Sequence, residues 1–472
     1  ADGSSKFSKD NRWGFFPGIS AGWIFGREDF IKEAIPVMSF GKLRASYGIN
    51  GNASGIGAYT LQGSYGSSNS NGSFNYNGNT SYLITELPNP NLRWEKTATF
   101  EVGADLSFFA NRLNTNLTYY NRLTSDKYAA LSFPTSTGFS SVTNNNGEFR
   151  NQGIEIELSG KIIDSKDWTW SASGNIAFNK NKIVSLPDNG MERNRINAFQ
   201  VYTGNGDEKK WVGGQQEGQE PGILYLYQAD GIYRSYDEIP ANLVRKYGSR
   251  TYYGPEAWNK LTAEQQNATT NFPIQPGDTK FHDVNGDDVI DEFDKVKVGA
   301  TSPRWTGGFN TTLRWKNFQL YGRFDYALGF WLYENSGTQS TTPWFMGCYQ
   351  GTYNTPTMYY DTWSESNPNA KYPRYLFADQ NGKNNYIAST MFAYRGDYLA
   401  IREISLSYSL PESVAKMLKM QRAEVSITGQ NLGYITGAKN VGSPEANPKD
   451  NGAVGQGYSL PRTILFGVNL TF

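Results

Sequence analysis

The densest chemical signal in the chain is "DVNGDDVIDEFD", Asp283 to Asp294. Asp283, Asn285, Asp287, Asp291 and Asp294 stand at positions 1, 3, 5, 9 and 12 of a twelve-residue loop, and Val289 offers its carbonyl at position 7. Calcium is a hard cation that takes oxygen ligands, and EF-hand loops set them out at this spacing. Two residues depart from that pattern. Asp288 holds position 6, where Gly usually makes the sharp turn, and Asp294 stands where a longer Glu usually binds through both oxygens. No flanking helix is evident. The expectation is structural Ca2+, or another hard cation, stapling a long loop. The alternative is a solvated acidic turn with Asn-Gly chemistry at Asn285–Gly286.

Other reactive groups are scarce. The chain has one His, His282, and one Cys, Cys348. A multi-His zinc site cannot be assembled from them, and an intrachain disulfide is excluded. A Ser-His-Asp arrangement would have to use His282, which sits in the polar run "KFHDVNG". Glu155 and Glu157 share one face of a strand, but paired inward carboxylates are ordinary lining of a wet interior. "GNASGIG" at 51–57 is glycine-rich without a following helix, so a dinucleotide site is not expected. No catalytic residue and no enzyme activity are expected. The 44 basic and 44 acidic side chains cancel, which gives no electrostatic ground for a nucleic-acid partner.

The elements behind these residues read as strands. Aromatics make up 15% of the 472 residues although mean hydropathy is -0.58. The chain ends "PRTILFGVNLTF", with Ile464, Phe466, Val468, Leu470 and Phe472 on one parity and small or polar residues, Leu465 excepted, on the other. Alternate side chains of a strand point to opposite faces. The same alternation runs through "TATFEVGADLSF", "GIEIELSG" and "EISLSYSLP". Eleven strands are expected, near 13–25, 39–49, 94–108, 113–123, 149–162, 168–179, 304–315, 318–333, 397–410, 422–432 and 458–472. A short connector helix is expected in "PESVAKMLKM".

Connections are lopsided. Those after Phe108, Gly160 and Leu313 are short, whereas 50–92, 122–148, 181–303, 334–397 and 433–457 are long and rich in Gly, Asn, Ser, Pro and Tyr. Short turns at one end and long loops at the other are the layout of a transmembrane β-barrel. Its apolar parity faces lipid and its polar parity an aqueous lumen. Trp94, Trp168, Trp170, Trp305 and Trp315 lie near strand ends, as interfacial girdle residues do. Loop aromatics (Tyr225, Tyr227, Tyr233, Tyr252, Tyr253, Trp344, Phe345, Tyr349, Tyr353, Tyr359, Tyr360 and Trp363) are candidates for ligand or partner contact, with loop packing as the alternative. An odd strand number and an opening that reads as chain interior point to further strands upstream.

The order of "NRWGFFPGISAGW", "LRASYGINGN", "LPNPNLRWEKTATFEVGADLSFFANRL", "GEFRNQGIEIELSG", "GDTKFHDVNGDDVIDEFDKVKVGATSPRWTGGFN", "NPNAKYPRY", "YLAIREISLSYSLP" and "SITGQNL" resembles the SusC/RagA family of TonB-dependent outer-membrane transporters. The resemblance covers nearly the whole chain. It implies an all-β transmembrane antiparallel barrel of about 22 strands, of which residues 1–472 would be the C-terminal portion. The plug domain would lie outside this chain and the C-terminus would be periplasmic. It further implies import of oligosaccharide or oligopeptide under a SusD-like surface lipoprotein, coupling to TonB, and assembly as a dimer of such pairs. Phe472 matches the terminal aromatic that such proteins present to the assembly machinery. Two rivals are a passive porin-like barrel and a secreted, calcium-stabilised glycan-binding β-protein.

Overall fold

The structure, a computed structural model, describes residues 1–67, 75–76, 79–80, 82–333, 361–374, 387–438, 443–445 and 460–472. Eleven strands form one antiparallel sheet, each hydrogen-bonded to the next in chain order. They are β1 Gly18–Trp23, β2 Met38–Asn52, β3 Glu95–Phe108, β4 Leu113–Ser132, β5 Ser141–Asp164, β6 Trp168–Ser185, β7 Trp305–Trp315, β8 Phe318–Leu328, β9 Tyr398–Ser409, β10 Arg422–Thr436 and β11 Thr463–Thr471. All eleven expected strands are present, and the helix Glu412–Met417 fills the expected connector after Pro411.

Register carries the two-faced pattern from strand to strand. Ser107, Asn114, Ser159, Ser173, Asn310, Arg323, Glu403, Gln430 and Thr463 stand directly opposite one another, forming a polar row from β3 to β11. Trp168, Trp315, Phe318, Tyr408, Val425 and Val468 make an apolar row near the short turns. Among the described residues, no second layer covers the apolar parity. Phe466 is 81% exposed and Val468 71%, and even in the sheet interior Leu158 and Leu406 are 51% and 45% exposed. A soluble sandwich would bury that face against a facing sheet.

Several boundaries differ from expectation, with the sixth strand running on to Ser185 and the last starting at Thr463, and three of the differences have a local cause. Residues 122–148 are not a loop: β4 and β5 continue pairing to Ser132↔Ser141. A bulge at Asp126 (φ 54°) interrupts the alternation there and hides the strand in the sequence. Buried Asn145 holds it, donating to the carbonyls of Arg93 (2.8 Å) and Asp126 (2.7 Å). The first strand is shorter than 13–25, because Pro17 lacks the N–H a ladder needs; Trp13–Gly14 pairs with Asp2–Gly3 instead. β8 stops at Leu328, where Asp397 accepts the Gly329 N–H at 2.6 Å and the chain turns through Gly329 (φ 81°). Trp331–Tyr333 then pairs with Ala393–Arg395.

The excursion between β6 and β7 is a folded unit with its own core. Tyr227, Tyr233, Leu243, Tyr252, Phe281 and Ile290 are buried together, joined by Ile387 from the next connection. A four-stranded sheet runs in the order Asn271–Pro273, Arg250–Tyr253, Val244–Tyr247, Val289–Ile290.

Candidate functional site

The acidic loop closes on itself. Asp283 accepts the N–H groups of Gly286 (2.7 Å) and Asp288 (2.8 Å), Asp287 that of Val289 (2.8 Å), and Asp291 that of Phe293 (2.9 Å). Asp294 accepts those of Val284 (2.9 Å) and Asp291 (2.7 Å) and is fully buried. The sharp turn falls on two residues of positive φ, Gly286 (76°) and Asp288 (64°). Burial pushes the Asp294 carboxyl up to about 6; the two backbone N–H groups work against that rise, and Asp291 and Asp283 add to it. Among the described residues, no three His, Cys, Asp or Glu side chains gather into a group that would hold a metal ion. The donor set fits a hard cation in kind: Asn285 Oδ1 is buried without a hydrogen-bond partner, while its Nδ2 donates to Asp207 at 2.9 Å. Asp207, seventy-eight residues away in sequence, carried no local signal. His282 lies outside the loop, half exposed, with Nδ1 3.2 Å from Asp230 Oδ2.

The polar parity of the sheet is a continuous hydrogen-bonding wall. Asp105, Asn116, Glu157, Asn175, Gly308 and Asp325 stand in register from β3 to β8. They line a depression of about 570 Å3 with Arg323 beside them. Arg44 donates to Asp105 (3.4 Å), Asn116 (2.9 Å) and Thr118. Arg402 sits on a bulge of β9, between Ile401 and Glu403, which turns it to Asp325 (2.7 Å) and to Glu445 of the β10–β11 connection. A bulge leaves no periodic signature, so this cluster was invisible in the sequence. Such a wall offers donors and acceptors to a polar solute. Glu155 and Glu157 lie within it as two residues of one strand.

The loop aromatics divide. Tyr227, Tyr233 and Tyr252 belong to the core of the excursion. Arg245, also buried, stacks over Tyr252 (4.5 Å) and Phe281 (5.1 Å). Tyr225 meets Phe199 edge-on at 5.9 Å, and Tyr253 packs on Trp258 at 6.2 Å. Trp363 covers Gly277 (φ 89°), where an added Cβ would fall 2.4 Å from the indole. These residues pack the excursion together. Trp344, Phe345, Tyr349, Tyr353, Tyr359 and Tyr360 lie outside the described residues, as does Cys348.

The outward parity carries two aromatic levels. At the short-turn end Trp168 stacks on Trp315 (5.6 Å), Trp315 on Phe318 (6.0 Å), and Phe318 packs on Tyr408 (4.6 Å). At the other end Phe178 packs on Trp305 at 4.7 Å. Trp305 and Trp315 bound β7. Ten residue steps at about 3.4 Å give about 34 Å along the strand. At a barrel tilt of about 40° that is about 26 Å of depth, against an apolar band of about 25 Å in outer-membrane barrels. Trp94 is not in either level: it packs on Phe7 at 5.2 Å, beside the buried Ile56 and Leu92.

Residues 1–242 match the family described as TonB dependent receptor-like, beta-barrel. Over its whole length the chain is 29% identical to TonB-dependent receptor P3 of Formosa agariphila, covering 43% of that protein. It is 27% identical to TonB-dependent receptor SusC of Bacteroides thetaiotaomicron, covering 41% of it. The solved RagAB peptide transporter superposes over the whole chain and 45% of its own, with a TM-score of 0.68 at 22% identity. At that identity the likeness shows the fold alone. The chain spans less than half the length of these relatives.

Proposed function

This chain belongs to the TonB-dependent receptor-like β-barrel family, and we propose from that premise that it forms wall and outer loops of an outer-membrane importer of oligomeric nutrients. Within the importer this chain would be the C-terminal part of the barrel, with its C-terminus periplasmic and the excursion outside the cell. The observation that carries the reading is the pair of aromatic levels, Trp168–Trp315–Phe318 and Phe178–Trp305, bounding an exposed apolar face. A bilayer solvates that face, while water and cargo wet the row of Asp105, Asn116 and Glu157. No bond chemistry is part of this role. The names of the relatives, TonB-dependent receptors and a peptide transporter, support coupling to TonB and an oligomeric cargo; a SusD-like lipoprotein over the mouth, a glycan as the other cargo and a dimer of such pairs complete the proposal.

Uptake of labelled oligosaccharide and oligopeptide pools by cells carrying the full protein tests this reading. Import should stop when the proton motive force is collapsed. Import that continues identifies a passive porin-like barrel. Release from membranes by alkaline wash without detergent identifies a secreted β-protein.

The acidic loop enters the same proposal as a calcium staple of Asp283, Asn285, Asp287, Val289, Asp291 and Asp294. Its support is the unpartnered Asn285 Oδ1 and the cost of charging Asp294 in its buried place, which a cation would reverse. The excursion should become protease-sensitive when a chelator is added, and Asp283→Ala with Asp287→Ala should copy that effect. Equal digestion with and without chelator overturns the metal.

A further inference from the structure

Past the aromatic level at the long-loop end, the outward face of β5 and β6 turns cationic. Phe178 lies on that face, packed on Trp305, and the alternation carries the face on to Lys180 and Lys182. The β5–β6 ladder sets Ile154 opposite Phe178, Gln152 opposite Lys180 and Arg150 opposite Lys182, with no shift between them. The positions in between lie on the polar face, where Asn179 accepts from the Tyr120 hydroxyl at 3.1 Å and donates to Asn181 at 2.9 Å. Arg150 and Lys182, directly opposite, have Cβ atoms about 5 Å apart, and Lys180 stands about 7 Å along the strand. Among the described residues, none of the three forms an ion pair, whereas Arg44, Arg122 and Arg402 on the polar face meet carboxylates at 3.4, 3.2 and 2.7 Å. Lys180 and Lys182 are exposed, and Arg150 Nε is shielded from water without an acceptor. The carboxylates at this height do not cancel the patch. Asp126 is held by Arg93 (2.6 Å) and Lys96 (3.8 Å), and Glu148, in register with Ser185, is one charge against three. Like charges directly opposite in an antiparallel pair repel, so an anion from outside the chain would stabilise the patch.

Height identifies that anion. Lys180 and Lys182 stand two and four residue steps beyond Phe178, about 7 and 14 Å along the strand, or about 5 and 10 Å of depth at a tilt of about 40°. The aromatic level marks the edge of the hydrocarbon, and the headgroup layer beyond it is about 5–8 Å thick. Lys180 falls within that layer. Lys182 and Arg150 stand at its outer edge, with stems long enough to reach back into it. Lipid phosphates lie at that depth. A guanidinium flanked by two ammonium groups suits them, since Arg pairs with two phosphate oxygens at once and Lys supplies point charges.

We propose that Arg150, Lys180 and Lys182 hold the phosphate of a lipid headgroup in the leaflet at the long-loop end. The inference rests on the membrane placement proposed above and adds a lipid site to it. The test uses the full protein purified in mild detergent, with retained lipid counted by native mass spectrometry after addition of lipid A carrying its phosphates or of the same lipid dephosphorylated. The wild type should retain the phosphorylated form in preference. Lys180→Gln with Lys182→Gln should cut that retention about tenfold, as loss of charge-assisted hydrogen bonds does, while the barrel keeps its heat-modifiable gel migration. Arg150→Gln should do the same. Lys316→Gln, in the β7–β8 turn at the other end, should change nothing. Equal retention of the two lipids by the wild type, or retention in the double variant equal to wild type, overturns the site while leaving the barrel reading intact. A preference lost equally in Lys316→Gln reports net charge alone and also overturns the site. Displacement of the lipid by excess inorganic phosphate identifies a soluble-anion site and overturns the lipid. Extraction without detergent overturns the site and the barrel reading together.

Discussion

Arg374 Nε lies 2.7 Å from Asp278 Oδ1, and the pair joins segments ninety-six residues apart. Asp278 is fully buried, and the same guanidinium reaches Gln275 Oε1 at 2.8 Å. The contact ties the connection after β8 to the excursion after β6. Replacing Arg374 by Ala removes one charge-assisted hydrogen bond from a buried carboxylate that still accepts the Gln275 N–H at 3.0 Å, a loss of about 1.5–3 kcal/mol. The excursion should become the first site of protease cleavage in Arg374→Ala, with barrel migration on gels unchanged.

Gly277 gives a second handle on the same joint. Its φ of 89° and the 2.4 Å approach of Trp363 leave no room for a methyl group. Gly277→Ala should destabilise the excursion by about 1–3 kcal/mol, read as faster amide exchange over 225–290. Trp363→Ala should loosen the same amides while removing the clash, so the double variant should be less than additive.

Alkaline pH should open the excursion core. Burial raises the Tyr233 phenol from 10.0 to about 12. Below pH 10 both folded and unfolded chains keep the proton, so the full contribution is present. Between pH 10 and about 12 only the unfolded chain ionises, so stability is lost as pH rises through that window. Tyr233→Phe removes the ionisable group and should move the alkaline midpoint upward, followed by protease sensitivity against pH.

The two faces of one strand should respond oppositely to charge. Ile404 and Ser405 are neighbours on β9, with Ile404 on the exposed apolar parity and the Ser405 hydroxyl within hydrogen-bond reach of Thr428 (2.7 Å) on the polar one. Ile404→Arg at mid-depth should cost about 2–4 kcal/mol and cut the yield of assembled barrel. Ser405→Arg should assemble near wild-type levels.

The wall was legible in the sequence because one apolar and one wetted side impose a period of two that only Leu465 and the bulges interrupt. Ile154, Ile156 and Leu158 declare a face without knowledge of their neighbours. What stayed hidden depends on partners distant in sequence. β4 and β5 extend past Arg122 because Asn145 and Glu95 clamp backbone from other segments, the Glu95 carboxylate accepting the Tyr128 N–H at 2.8 Å. Arg402 is aimed by a bulge, and Asp207 reaches Asn285 across the excursion. The spacing of Asp283 to Asp294 was readable, but the direction of each carboxylate was not, since four of the five side-chain candidates are aspartates that cap local N–H groups.

The short turns have a consequence for how such a chain diversifies. β7 and β8 are joined by Lys316 and Asn317 alone, with Lys316 held at φ 50°. One inserted residue in either strand, unless a bulge absorbs it as at Asp126 and Arg402, would exchange its greasy and wetted sides and break the rows on both flanks. Whole folded units fit instead beyond the opposite rim, where the one after Ser185 hangs from the palisade. A change of length at that rim leaves the register of every stave as it is.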